Sequence, residues 1–122
     1  MGYPARVQTA YASAVYTATS TVDVVVENAH GLFIVIDVTL DAASASVVFN
    51  IDGFDTLSGQ TWTLLDSAAV TAVGTTILRI GPELSASANT IAKEAVPPVI
   101  RVNPVHNDSD AMTYSVAVHS TI

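Results

Sequence analysis

The chain has 122 residues, of which 50% are hydrophobic and 12% charged. That length suits a single domain with a real core, and the charged share is about half of the roughly 25% usual in soluble proteins. Four Lys and Arg stand against eleven Asp and Glu, a net charge of -7 that argues against nucleic acid, whose binding rests on cations, and favours a basic partner surface. Cysteine is absent, which rules out disulfides, thiolate metal sites and a cysteine nucleophile.

The opening "MGYPARVQTAYASAV" places Pro4 and Arg6 where a signal peptide needs a continuous apolar segment. No window reaches the roughly 18 apolar residues of a spanning helix, so neither secretion by that route nor membrane insertion is expected. Arg6 also stands where a myristoylation motif wants Ser or Thr. Residues 1–20 read as an N-terminal arm or a first strand, with β-branched residues and spaced tyrosines favouring extension from Arg6 to Tyr16. Residues 21–122 read as a single β-sandwich domain.

From there the dominant period is two. Thr21 to Glu27 predicts a strand, and "NAHG" its exit, with Asn28 and Gly31 available for positive φ. In Leu32 to Leu40 the even positions form a wholly apolar face, while Phe33, Val35, Asp37 and Thr39 take the other. Val47, Phe49 and Ile51 alternate likewise, and the short loop "DAASA" between the two runs predicts an antiparallel hairpin. Asp52-Gly53 predicts the next turn.

"QTWTLLD" and "TTILRI" predict short strands, with Trp62 at an inward position by alternation. Gly81 to Pro98 departs from the rhythm: a short helix between Ser85 and Ala95 or a long ordered loop fits it. A strand follows Pro98, and Pro104 suits an edge or a bulge. The last run places Met112, Tyr114, Val116 and Val118 on one side. The total is an all-β fold, a β-sandwich or jelly roll of about eight antiparallel strands, with the loop or short helix near residues 83–96.

Reactive chemistry is sparse. His30, His106 and His119 lack the close-spaced partners of a zinc or base site and read as turn or solvent-facing residues. "HNDSD" (residues 106–110) lacks the glycine and distal glutamate of a calcium loop and reads as an Asx-rich hairpin turn. Asp52 and Asp55 flank Gly53 as turn residues rather than as a glycosidase pair. Ser58 and Ser67 have no glycine elbow or recognisable base. Trp62 with Tyr3, Tyr11, Tyr16 and Tyr114 offers a sugar platform in principle, but inward Trp62 favours core filling. The expectation is a non-enzymatic protein without cofactor or metal.

The run "GLFIVIDVT", followed by "IDGFD", "WTLL", "GTTILR", "PPVIRV" and "TYSV", resembles small proteins encoded beside the head genes of tailed bacteriophages. The resemblance covers about three quarters of the chain, from Gly31 onward. It implies a capsid decoration or cement protein with a β-sandwich fold, made in the host cytoplasm and resident on the outer surface of the virion's capsid. The implied partners are the major capsid protein and copies of the chain itself, as a trimer. With so few charges, apolar surface remains after one small core is filled, and its burial at about 25 cal/mol per Å² drives association. Tyr3, Pro4, Arg6 and Tyr11, in the N-terminal arm, are the candidate partner-binding residues. A phage tail or baseplate component and a carbohydrate-binding sandwich are the rival readings.

Overall fold

The computed structural model describes residues 6–41 and 44–121, and these form nine strands and no helix. They are β1 (Arg6–Tyr16), β2 (Val22–Val25), β3 (Gly31–Leu40), β4 (Val47–Phe54), β5 (Thr61–Asp66), β6 (Gly74–Ile80), β7 (Ile91–Ala92), β8 (Val99–His106) and β9 (Met112–Thr121). Two sheets, ordered β1-β9-β3-β6-β7 and β2-β8-β4-β5, make a β-sandwich. With the two-residue β7 set aside, the remaining eight strands follow the jelly-roll connection: successive strands pass between sheets except at the β4–β5 hairpin, and first and last lie side by side.

The alternation read from the sequence dictates the core. Ile34, Ile36 and Val38 from β3, Val116 and Val118 from β9, and Leu78 and Ile80 from β6 face Val47, Phe49 and Ile51 from β4 and Ile100 and Val102 from β8, all at most 1% exposed. Each such side chain is worth about 1.5–3 kcal/mol when fully buried. Tyr114 sits at the centre, stacked on Tyr16 at 4.5 Å between ring centroids and edge-on to Phe49 at 5.1 Å.

The expected hairpin between β3 and β4 does not form. β3 pairs with β6 and β9, β4 with β5 and β8, and the loop between β3 and β4 crosses from one sheet to the other. Each strand has a wholly apolar face, and crossing lets the two faces meet, whereas a hairpin would set them side by side. "HNDSD" crosses in the same way: its Asx turn forms, the Asp110 amide donating to Asp108 Oδ1 at 2.9 Å, but β8 and β9 lie in different sheets.

Other local readings shift for definable reasons. Asn28 takes φ 64°, as expected, while Gly31 has no positive φ and opens β3, where a Cβ would stand 3.2 Å from Thr121 Oγ1. Asp52 and Gly53 stay within β4, and the turn starts at Asp55, whose carboxylate accepts from the Leu57 amide at 3.1 Å and the Ser58 hydroxyl at 2.7 Å. The 85–95 segment is not a helix. The free edge of β6 recruits it instead, the Arg79 and Gly81 amides donating to Thr90 and Ala92 carbonyls at 2.9 and 3.1 Å, with Asn89 at φ 63° turning the chain. The resulting β6–β7 pair is parallel, an exception to the antiparallel expectation.

Pro104 lies in β8, an interior strand, rather than at an edge. Two residues on, on the same side of β8 by strand parity, the His106 amide bonds the Thr19 hydroxyl at 3.2 Å, beyond the start of β2. The missing donor of Pro104 therefore falls where the neighbouring strand has ended. His106 itself is not solvent-facing: it points inward, Nε2 3.0 Å from the Tyr114 hydroxyl, and burial holds its pKa below the ordinary value.

Candidate interface

The residues named from the sequence fall in three different settings. Tyr3 and Pro4 lie outside the described residues. Arg6 is exposed at the start of β1, opposite Ser120 of β9. Tyr11 is 4% exposed, and its hydroxyl donates to the carbonyls of Ser20 at 2.6 Å and Val102 at 3.3 Å. It ties β1 to β8 and to the segment just before β2, so its ring has no surface for a partner, and burial raises its pKa. The N-terminal segment from Arg6 on is thus an edge strand of the sheet rather than a free arm. Between Thr9 and Ala14 its register against β9 shifts twice, a device that discourages edge-to-edge pairing.

The tyrosine platform also dissolves. Tyr11, Tyr16 and Tyr114 cluster in the core, with Tyr11 edge-on to Tyr16 at 5.7 Å. Trp62 does the reverse of the expectation and is 47% exposed. It pairs opposite Gly53 on the inner side of its strand pair, but beyond the point where the core ends, with a bulge placing both Leu64 and Leu65 in the interior. A Cβ on residue 53 would lie 2.3 Å from the indole carbons, so the glycine is what lets the ring lie flat there. Trp62, Phe54, Pro97 and Val99 border an open cleft of about 310 Å³.

Ser67, considered as a nucleophile, is 3% exposed and structural: its hydroxyl accepts from the Phe49 amide at 2.9 Å and donates to the Ala68 carbonyl at 2.8 Å. Among the described residues no group of three or more His, Cys, Asp or Glu side chains is placed to hold a metal, and no helix is long and apolar enough to cross a membrane.

The feature not singled out from the sequence is the outer face of the five-stranded sheet. Register places Thr9, Ala117, Val35 and Ile77 in one row across β1, β9, β3 and β6, and Val7, His119, Phe33 and Arg79 in the next. Val7 is 59% and Ile77 39% exposed, and the His119 ring lies flat on Phe33 at 4.5 Å. The two charges at its middle are Arg79 and Asp37, both exposed and neither with an ion-pair partner among the described residues. The upper end of the face opens into an apolar cavity of about 190 Å³ lined by Phe33, Arg79, Leu84 and His30, beside a His30–Glu83 contact of 3.3 Å. The signal was visible in the alternation: Phe33 and Val35 are large apolar residues on the side of their strand that faces away from the core.

The other sheet turns out a different face. Asp23, Arg101 and Asp52 form one row and Asn103, Asn50 and Asp66 the next. The Arg101 guanidinium donates to both Asp23 oxygens, at 2.7 and 3.1 Å, and lies 4.3 Å over the Phe54 ring. That pairing holds the Asp23 carboxyl below its ordinary pKa. Asp52 moves up, chiefly through burial and then through the neighbouring Asp66 carboxylate. No protein-family model matches the chain, and no curated protein does so either.

Proposed function

We propose that this chain is a non-enzymatic structural protein of a phage virion, a decoration or cement protein that binds the outside of the capsid and stabilises it, with the major capsid protein and its own copies as partners. The observation that carries the binding role is the apolar row on the five-stranded sheet's outer face, where exposed Ile77 stands beside half-buried Val35, with half-buried Phe33 in the adjoining row. Exposed contiguous apolar surface of this kind marks an interaction site. The virion setting draws on the resemblance of the "GLFIVIDVT" to "TYSV" run to phage head-region proteins, and the jelly-roll framework suits it by analogy, since capsid domains use that fold as lectins do.

The test is occupancy on preformed shells, read by co-sedimentation with capsids lacking this protein. Removing residues 1–5 leaves β1 whole and reports on Tyr3 and Pro4, and Arg6→Glu reports on the strand start; the expected result is a loss of occupancy for both. Full binding by both variants would dismiss the N-terminal residues as contacts. Absence of the unaltered protein from shells, together with its presence in tail fractions, would replace the head by the tail.

A second reading has its own observation. Exposed Trp62 beside Phe54 over an open cleft is the arrangement by which sugar rings stack on aromatic side chains. A glycan array probed with the unaltered chain and with Trp62→Ala decides it, and an empty array removes the reading.

A further inference from the structure

We infer that the outer face of the five-stranded sheet is a two-fold self-pairing surface, in which a second copy of this chain lies face to face on the first. The inference deepens the self-associating part of the function proposed above and does not depend on the virion setting.

The pattern of side chains on this face is complementary to itself. Ala117, Val35 and Ile77 occupy one row perpendicular to the strands. Arg79 lies one outward position away from that row on β6, and Asp37 lies one outward position away on β3, on the opposite side of the row. A two-fold axis lying in the face along the row sets Ala117, Val35 and Ile77 against their own counterparts. The same rotation carries Arg79 of each copy to the level of Asp37 in the other, above Thr75, which pairs with Asp37. The offset is then one strand spacing, about 4.8 Å, across packed sheets roughly 10 Å apart, within reach of an arginine side chain. Two ion pairs form symmetrically, using the two charges of this face, neither of which has an ion-pair partner among the described residues.

The charge of the whole molecule points to the same surface. At a net -7, two copies repel wherever carboxylates meet. The four-stranded sheet's face presents Asp23, Asp52 and Asp66 and would bring like charges together. The five-stranded face presents one cation and one anion about an apolar row, so a copy meets it without net repulsion.

Sedimentation equilibrium of the purified chain, without shells, tests the pairing. The expected mass rises with concentration from one chain of 12.7 kDa to two. Ile77→Glu places a carboxylate against its own counterpart on the axis and is expected to hold the protein at one chain, with unchanged thermal unfolding as the control for folding. Arg79→Asp and Asp37→Arg each juxtapose like charges and are expected to weaken association about tenfold or more, while the double variant restores it. A mass of one chain at every concentration, a mass of three chains, dimers that survive Ile77→Glu, or no recovery in the double variant would each overturn the pairing. Shell occupancy is measured separately, so loss of capsid binding leaves this result standing, and a monomer in solution leaves decoration to the occupancy assay.

Discussion

The two sheets share one core and turn outward two unlike faces. On the four-stranded sheet, Arg101 is held by both the Asp23 carboxylate and the Phe54 ring, in a row with Asp52 and beside the row of Asn50, Asn103 and Asp66. On the five-stranded sheet, half-buried Phe33 and Val35 and exposed Ile77 face outward, and Arg79 and Asp37 have no ion-pair partner among the described residues. Both faces come from strands with equally apolar inner sides. Folding therefore constrains the inward residues alike in the two sheets and leaves the outward residues to record what each face meets. One face carries an ion pair made within the chain, whereas the other leaves its two charges without an ion-pair partner among the described residues.

The harshest way to break this comparison is to strike the side the sheets share. Phe49→Ala removes a fully buried ring that packs against Tyr114, and a loss of about 3–5 kcal/mol is expected by chemical denaturation, affecting both faces together. Tyr11→Phe is gentler and local to the seam between the sheets. It strips the hydroxyl that Ser20 and Val102 carbonyls accept from, and about 1–3 kcal/mol should be lost with self-association unchanged.

Acid separates interior from exterior. His106 has a lowered pKa, so below the ordinary histidine value of about 6.5 the unfolded chain takes up a proton that the native chain resists, and stability falls as pH drops through that range. His106→Gln, which can keep the bond to the Tyr114 hydroxyl, should flatten the slope of unfolding midpoint against pH between about 7 and 5.

Smaller effects sharpen the contrast on the charged face. Asp23, lowered by Arg101, contributes stability that is present above the ordinary carboxylate range and lost as pH falls through its depressed value. Asp52, raised by burial, does the opposite: ionised it opposes folding, and protonation on acidification relieves that cost. Asp23→Asn should lower the unfolding temperature at neutral pH and Asp52→Asn should raise it, with the two curves converging in acid. Salt should shrink the Asp23 effect. The smallest change in stability belongs to the other face. Ile77→Glu, at a surface position, should move unfolding by about 0.5 kcal/mol or less while abolishing self-association.

How much of this was legible in the amino-acid order varies with the range of the interaction. β1 spans Arg6 to Tyr16 as its alternation places it, and β8 and β9 begin where the break at Pro98 and the run from Met112 place them, because period-two burial is a local property of an extended chain. Trp62 was misplaced because alternation tells which side a residue takes but not where the core stops. Tyr11 looked like an arm residue because its acceptors, Ser20 and Val102, are 9 and 91 positions away. The 85–95 segment had helix signals of its own, yet the amides of β6 outbid them from outside the segment.

By itself the sequence determined that the chain is all-β, that its strands have one apolar side, and that more apolar residues exist than one small core absorbs. Tertiary structure alone decided that β3 and β4 oppose rather than pair, that Tyr11 closes a seam, and that Phe33, Val35 and Ile77 meet on one open face. The reason is physical: which side of a strand is apolar follows from neighbours two residues away, whereas which strands become neighbours depends on the burial available to the whole chain, a global sum that no single stretch contains.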